Sequence, residues 1–202
     1  MVKLNYRKRR EINLTVIINA LGAPSCGKTS LSVKLFAKLK ELNLNVEYSP
    51  EVVKTWCYEQ RKVNKYDQYY LFGSEVHQQS CLFNSVDIII SDSSPILAAF
   101  YNYYYNNREN SLSPACHEFY KKAAEDNIKV LNFLLTRTKP YNPHGRYQTE
   151  EQADDVAQEL KAWLTWEGYD YIMLDCPDDE RLGKVMEKLK EITGDFDGMS
   201  LA

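Results

Sequence analysis

The sequence predicts an α/β fold in which a parallel sheet of about five strands carries helices on both faces. Three observations predict it. Short apolar runs alternate with amphipathic stretches along the whole chain. A glycine-rich turn joins the first apolar run to the first amphipathic stretch. No internal repeat, low-complexity tract or Gly/Ser linker interrupts the alternation. Strands alternating with helices imply right-handed βαβ units and a sheet buried on both sides. In such sheets ligands sit at the carboxyl ends of the strands, so the residues just after each strand are the ones that carry function.

The elements follow in order. Leu14 to Leu21 is rich in β-branched and aliphatic residues and stops at glycine, as a buried strand does. Lys28 to Leu42 is a helix, with Leu31, Leu35, Leu39 and Leu42 at helical spacing. Val46 to Ser49 is a short strand ended by Pro50. Tyr66 to Phe83 reads as a rather polar helix, and Val86 to Ser91 as the second clear apolar strand. Pro95 opens a helix after it. Val130 to Leu135 and Tyr169 to Leu174 complete the strands. Between these two lies a helix from Glu150 to Trp166, whose start is marked by Thr149 and Gln152 in capping-box spacing. A charged helix from about Asp179 to Ile192 is followed by a loose tail, 194–202.

A chain of 202 residues suits one domain with a full core better than two thin ones. No apolar run approaches the roughly 18 residues that a bilayer span needs, and the basic N-terminus lacks the long apolar segment of a signal peptide. The expectation is therefore a soluble, cytoplasmic protein without a membrane partner. Cys26, Cys57, Cys81, Cys116 and Cys176 stand far apart, which suggests reduced thiols rather than a disulfide frame or a zinc site. With a formal net charge of −3 there is no global attraction to nucleic acid. One local excess, Lys3, Arg7, Lys8, Arg9 and Arg10 within the arm 1–11, is either a solvated terminus or a small phosphate-contacting arm.

The segment G-A-P-S-C-G-K-T, Gly22 to Thr29, matches G-x-x-x-x-G-K-[ST] in full, and Ser30 follows. A buried strand precedes it and an amphipathic helix follows, the context that a phosphate loop demands. Gly22 and Gly27 permit backbone geometry that β-carbons would block, so the N–H groups of the loop Ala23-Pro24-Ser25-Cys26, Pro24 excepted, and of the helix start turn towards phosphate. The helix N-terminus adds partial positive charge. Lys28 reaches the β- and γ-phosphates of ATP, and the Thr29 hydroxyl ligates magnesium. The fold class is thereby narrowed to a P-loop NTPase.

Other candidates stand at strand ends. Asp87 to Asp92 is an apolar strand closed by a carboxylate, the form of a Walker B segment, with Asp92 as the second magnesium residue. Glu51 follows the short strand and Pro50. It is either a base for an acceptor hydroxyl or an ordinary helix-start carboxylate stabilised by the dipole. The segment 137–150 carries Pro140, Pro143 and Gly145 and so reads as a loop, long enough to act as a lid. Its Arg137 and Arg146 are candidates to stabilise charge on a moving phosphoryl group. Tyr101, Tyr103, Tyr104 and Tyr105, with Trp56 and Tyr58, are either packing residues or faces on which a base could stack.

The succession of phosphate loop, S-P-E-V-V-K-T-W, D-I-I-I-S-D-S-S-P-I-L and R-T-K-P-Y-N-P-H-G-R-Y-Q-T-E resembles the small P-loop nucleoside kinases. It is similar to the nicotinamide-riboside kinase domain of bacterial NAD regulators and to phage P-loop proteins, some of which phosphorylate 5-hydroxymethyl pyrimidines in DNA. The resemblance covers roughly residues 12 to 176. P-E-V-V-K-T-W also looks like the E-P-V-x-x-W stretch of deoxynucleoside kinases, whose Glu acts as base, although here the Pro precedes Glu51. No H-x-G-H adenylyltransferase signature is present. The resemblance implies an ATP- and magnesium-dependent kinase acting on a nucleoside-like hydroxyl. The first choice is the 5-hydroxymethyl group of a modified pyrimidine, free or in phage DNA. A nicotinamide-riboside-type nucleoside kinase and a regulatory P-loop ATPase are the alternatives.

Overall fold

The computed structural model describes residues 14–194; the basic arm 1–11 and all of the tail beyond Gly194 lie outside the described residues. Five strands form one sheet: β1 (Thr15–Leu21), β2 (Val46–Ser49), β3 (Ile88–Ser91), β4 (Ile128–Leu135) and β5 (Ile172–Leu174). They lie in the order β2-β3-β1-β4-β5, and every neighbouring pair is parallel. All five carboxyl ends therefore emerge along one edge, which delivers Gly22, Glu51, Asp92, Arg137 and Asp175 to the same side of the molecule.

Seven helices accompany them among the described residues: α1 (Lys28–Glu41), α2 (Val53–Tyr58), α3 (Asp67–Ser80), α4 (Pro95–Tyr105), α5 (Ser113–Glu125), α6 (Glu150–Trp166) and α7 (Asp178–Thr193). The alternation of side chains along β1 divides them into layers. Val16, Ile18 and Ala20 meet Leu31, Leu35 and Leu39 of α1 and Val185 and Leu189 of α7. On the opposite face, Leu21 packs with Phe100 of α4 and Val156, Leu160 and Trp163 of α6, while Ile17 and Ile89 meet Ala123 of α5.

The sequence expectation for α6 is met at both ends, including the reciprocal bonds between Thr149 and Gln152. Elsewhere boundaries shift by a few residues. The expected strand from Tyr169 is ordered as strand only over Ile172–Leu174, because β5 is an edge and pairs with β4 alone. Two helices were not foreseen. The six residues of α2 are too few to show a period, and α5 buries only Ser113, Cys116 and Ala123, small residues that leave a faint apolar stripe. Tyr66 to Phe83 shortens to Asp67–Ser80, with turns at either end.

Candidate active site

The loop between β1 and α1 has the backbone that its glycines predict. Gly22 has φ +148, and a β-carbon there would fall 2.6 Å from the Cys26 Sγ and 2.8 Å from the Leu135 carbonyl oxygen. Gly27, at φ 95, caps the helix without a side-chain bond, which leaves the first-turn N–H groups free to meet an anion. The Lys28 ammonium donates to the carbonyl oxygens of Gly22 (2.9 Å) and Ala23 (3.2 Å), so the cation lies against the loop it belongs to.

Residues 24–30 line a cavity of about 1070 Å³, just above the usual range for ligand sites. Glu51, half-buried beyond β2, lines it as well, and Arg146 lines it from the loop between β4 and α6. The phosphate loop, a carboxylate and an arginine thus face one space. That loop is docked across the site: the Asn142 N–H donates to Ser25 Oγ at 3.0 Å, Tyr147 to the Arg61 carbonyl at 2.8 Å, and Gln148 to the Tyr105 hydroxyl at 2.9 Å. Gly145 permits its closest approach, since a β-carbon there would stand 2.8 Å from the Tyr58 hydroxyl.

Asp92 follows β3 and is buried, accepting a hydrogen bond from Tyr48 at 3.1 Å. Burial pushes the Tyr48 phenol upward, and the neighbouring Asp92 charge pushes it further. The other carboxylate oxygen, Asp92 Oδ1, is buried without a hydrogen-bond partner. A carboxylate oxygen left in this condition is costly unless something cationic meets it. Among the described residues no group of three or more His, Cys, Asp or Glu could hold a metal. Magnesium usually takes one or two protein oxygens and completes its shell with phosphates and water; the unpaired Asp92 Oδ1 is an oxygen suited to that mode, although Thr29 lines the large cavity and Asp92 is not among its lining residues.

Arg137 is placed elsewhere. It is paired with Glu150 (3.0 Å) and Asp154 on α6, lies over the Tyr141 ring, and borders a second, smaller depression instead of the large cavity. Pairing with two carboxylates of the following helix holds it against α6, where the sequence suggests a phosphate contact beside Arg146. Of the aromatic residues, Tyr101, Tyr104 and Tyr105 line the cavity, whereas Tyr103 packs on Trp163 and Trp166. Trp56 is core: it is buried with Leu71 and Ala98, stacks on Tyr70, and carries the Arg61 guanidinium 3.8 Å above its ring.

Two features of the candidate site were invisible in the sequence. Glu75, on the cavity wall, is only 3% exposed. Burial drives its carboxyl well above the ordinary range; a hydrogen bond from Ser93 opposes this, and the Glu51 charge adds to it. Arg181 is 1% exposed and donates to the carbonyls of Cys26, Thr136 and Cys176. Both sit in polar helices whose buried positions a periodicity argument assigns to apolar residues.

Residues 17–181 match the AAA domain family. The chain belongs to the AAA domain family. A comparison with curated proteins finds no match in sequence. Among solved structures, this AAA-domain chain is similar to the NadR protein in complex with NR, at a TM-score of 0.67 and 19% identity over 91% of this chain and 53% of that one. The NadR protein in complex with NAD and AMP-PNP gives 0.62 and 18%, over 91% and 51%. The chain thus spans about half the length of NadR. Deoxyadenosine kinase from M. mycoides with bound dATP gives 0.55 and 17%, over 86% of this chain and 99% of that one. The AAA-domain chain shares the fold of these proteins, a five-stranded parallel sheet with a phosphate loop after its first strand. No helix among the described residues is long and apolar enough to cross a membrane.

Proposed function

We propose that the protein is an ATP-dependent kinase that transfers the γ-phosphate to a hydroxyl of a nucleoside-like acceptor. The observation that carries this reading is the single cavity faced by residues 24–30, Glu51 and Arg146. A purely regulatory nucleotide site needs the first of these but neither a carboxylate nor room for a second ligand. In the proposed reaction the loop N–H groups and Lys28 hold the phosphates, and Glu51 orients the acceptor hydroxyl and accepts its proton. Arg146 meets the charge that develops on the moving phosphoryl group. Thr29 and Asp92 would hold magnesium, which when bound would supply positive charge beside the phosphates.

The first-choice acceptor is the 5-hydroxymethyl group of a modified pyrimidine. Tyr101, Tyr104 and Tyr105 offer ring faces on the cavity wall. Lys54, Arg61, Lys62 and Lys65 also line it, and such cations suit a phosphodiester attached to the base. A free nucleoside bound without a phosphate is the second reading, favoured by the Glu51 carboxylate among the lining residues.

The test is transfer of label from γ-labelled ATP to 5-hydroxymethyluracil supplied as nucleoside, as nucleotide and within an oligonucleotide, alongside nicotinamide riboside and common deoxynucleosides. Transfer should fall at least about a hundredfold in Lys28→Ala. Label on no acceptor, or unchanged turnover in that variant, would remove the kinase reading. Label confined to free nucleosides would remove the DNA version alone.

A further inference from the structure

Three residues of α3 face the cavity: Gln68, Leu71 and Glu75, at positions i, i+3 and i+7 of one helical stripe. The first and last are polar and almost wholly buried, at 7% and 3% exposure. Each carries one side-chain oxygen without a partner, Gln68 Oε1 and Glu75 Oε2. Unpaired buried polar atoms are rare in folded proteins and each calls for an explanation, a bound molecule or ion among them.

The remaining Glu75 oxygen is held firmly. Ser93 donates to Glu75 Oε1 at 2.5 Å, and the Ser93 carbonyl accepts from Ser91 at 2.5 Å. Ser91 in turn accepts from Gln79, which also donates to Asn19 in the central strand, each at 3.1 Å. A chain of hydrogen bonds therefore runs from β1 to Glu75 and fixes its carboxyl group at the cavity wall. Such a network fixes one rotamer, which loose surface carboxylates do not have.

Resting on the kinase reading above, we propose that Gln68 and Glu75 seat the acceptor, and that the part of it lying along α3 is an uncharged, nucleoside-like group offering a hydrogen-bond donor to Gln68 and an acceptor to Glu75. The helical rise separates their backbones by about 10 Å, the span of a base with its sugar, and Leu71 supplies the apolar contact between them. Burial and the Glu51 charge favour the protonated Glu75, which makes its free oxygen a donor. A neutral acid can read a carbonyl or ring nitrogen, and it does not attract a cationic ring as a carboxylate would.

The experiment is calorimetric titration with AMP-PNP and magnesium, and separately with 5-hydroxymethyl-2′-deoxyuridine, deoxycytidine and nicotinamide riboside, the last a cation. Wild type, Glu75→Gln, Glu75→Ala and Gln68→Ala are compared, with thermal melting of each. At least one neutral nucleoside should bind. Its Kd should rise about tenfold in Glu75→Ala and in Gln68→Ala, the loss of one buried hydrogen bond. It should stay within about threefold in Glu75→Gln, whose amide keeps a donor and an acceptor, and AMP-PNP binding should be unchanged throughout. Should Glu75→Ala fail to fold, Gln68→Ala decides by the same tenfold criterion. The proposal is overturned if nucleoside affinity is indifferent to both alanine variants. It is equally overturned if Glu75→Gln behaves like Glu75→Ala, or if only the cationic nucleoside binds. A wild type that binds AMP-PNP but no neutral nucleoside sinks it and leaves ATP binding intact. Nucleoside binding through Glu75 without AMP-PNP binding upholds it and removes the kinase reading.

Discussion

Arg181, near the start of the last helix, donates a 2.8 Å hydrogen bond to the carbonyl oxygen of Cys26 in the phosphate loop, 155 residues earlier in the chain. The same guanidinium reaches the Thr136 and Cys176 carbonyls and pairs with Asp178 at 2.8 Å, and Asp178 binds Lys139 at 2.6 Å. One buried cation therefore ties the phosphate loop, the start of the 137–150 loop and the turn after β5 together. Burial works to raise the Asp178 carboxyl, but Lys139, Thr138 and Arg181 together bring it below its usual value.

Arg181→Met should destabilise the protein by about 3 kcal/mol, since removing one partner of a buried pair strands the carbonyls and the carboxylate it served. In a chain of this length that corresponds to roughly 6–12 °C in Tm. The nucleotide Kd should also rise, because Cys26 loses its anchor. Thermal melting with and without AMP-PNP checks both, and an unchanged melting curve would show that the anchor is dispensable.

Asp92→Asn should leave the fold intact, as the amide oxygen can still accept from Tyr48. Transfer activity should fall about a hundredfold, or demand much more magnesium, because an uncharged NH2 group then replaces the oxygen that would meet the cation. A magnesium titration of initial rates, with melting measured in parallel, reads this directly. Full activity at the wild-type magnesium midpoint would take Asp92 out of the metal site.

Arg146→Ala should lower kcat by about 10²-fold and change the KM for ATP much less, since a contact to developing charge is strongest in the transition state. Arg137→Ala should instead act mainly on stability, by releasing Glu150 and Asp154 of α6. Steady-state kinetics of the two variants separates the roles. A pure KM effect in Arg146→Ala would make it a ground-state contact.

Glu75 carries a pH signature. Its folded pKa is raised above its unfolded value, so the folded state binds the proton more tightly. The stability it contributes is fully present below the unfolded carboxyl pKa of about 4.3 and is lost as pH rises through the folded value. Glu75→Gln, which cannot ionise, should flatten that decline. Urea unfolding from pH 4 upward measures it, and parallel curves for the two proteins would mean that Glu75 titrates normally.

Local chemistry made the fold and the phosphate loop legible in the sequence. The apolar strands, the leucine spacing of α1, the Thr149 capping box and the two glycines of the loop each act within a few residues, so their patterns survive in one dimension. They were enough to read the five-stranded parallel sheet and to put Gly22 to Ser30, Glu51 and Asp92 along its carboxyl edge. What the tertiary structure decided depends on partners distant in sequence. The wall of α3 faces the cavity because α4 packs against it, and Gln68 and Glu75 gain meaning only from being buried there with unpaired oxygens. Arg137 looked the equal of Arg146 until the acids of α6 were folded back onto it. Arg181 sits in a helix that reads as charged and exposed, and only chain closure around it turns a surface residue into the anchor of the loop. Burial and long-range hydrogen bonding are properties of the folded whole, and no spacing along the chain encodes them.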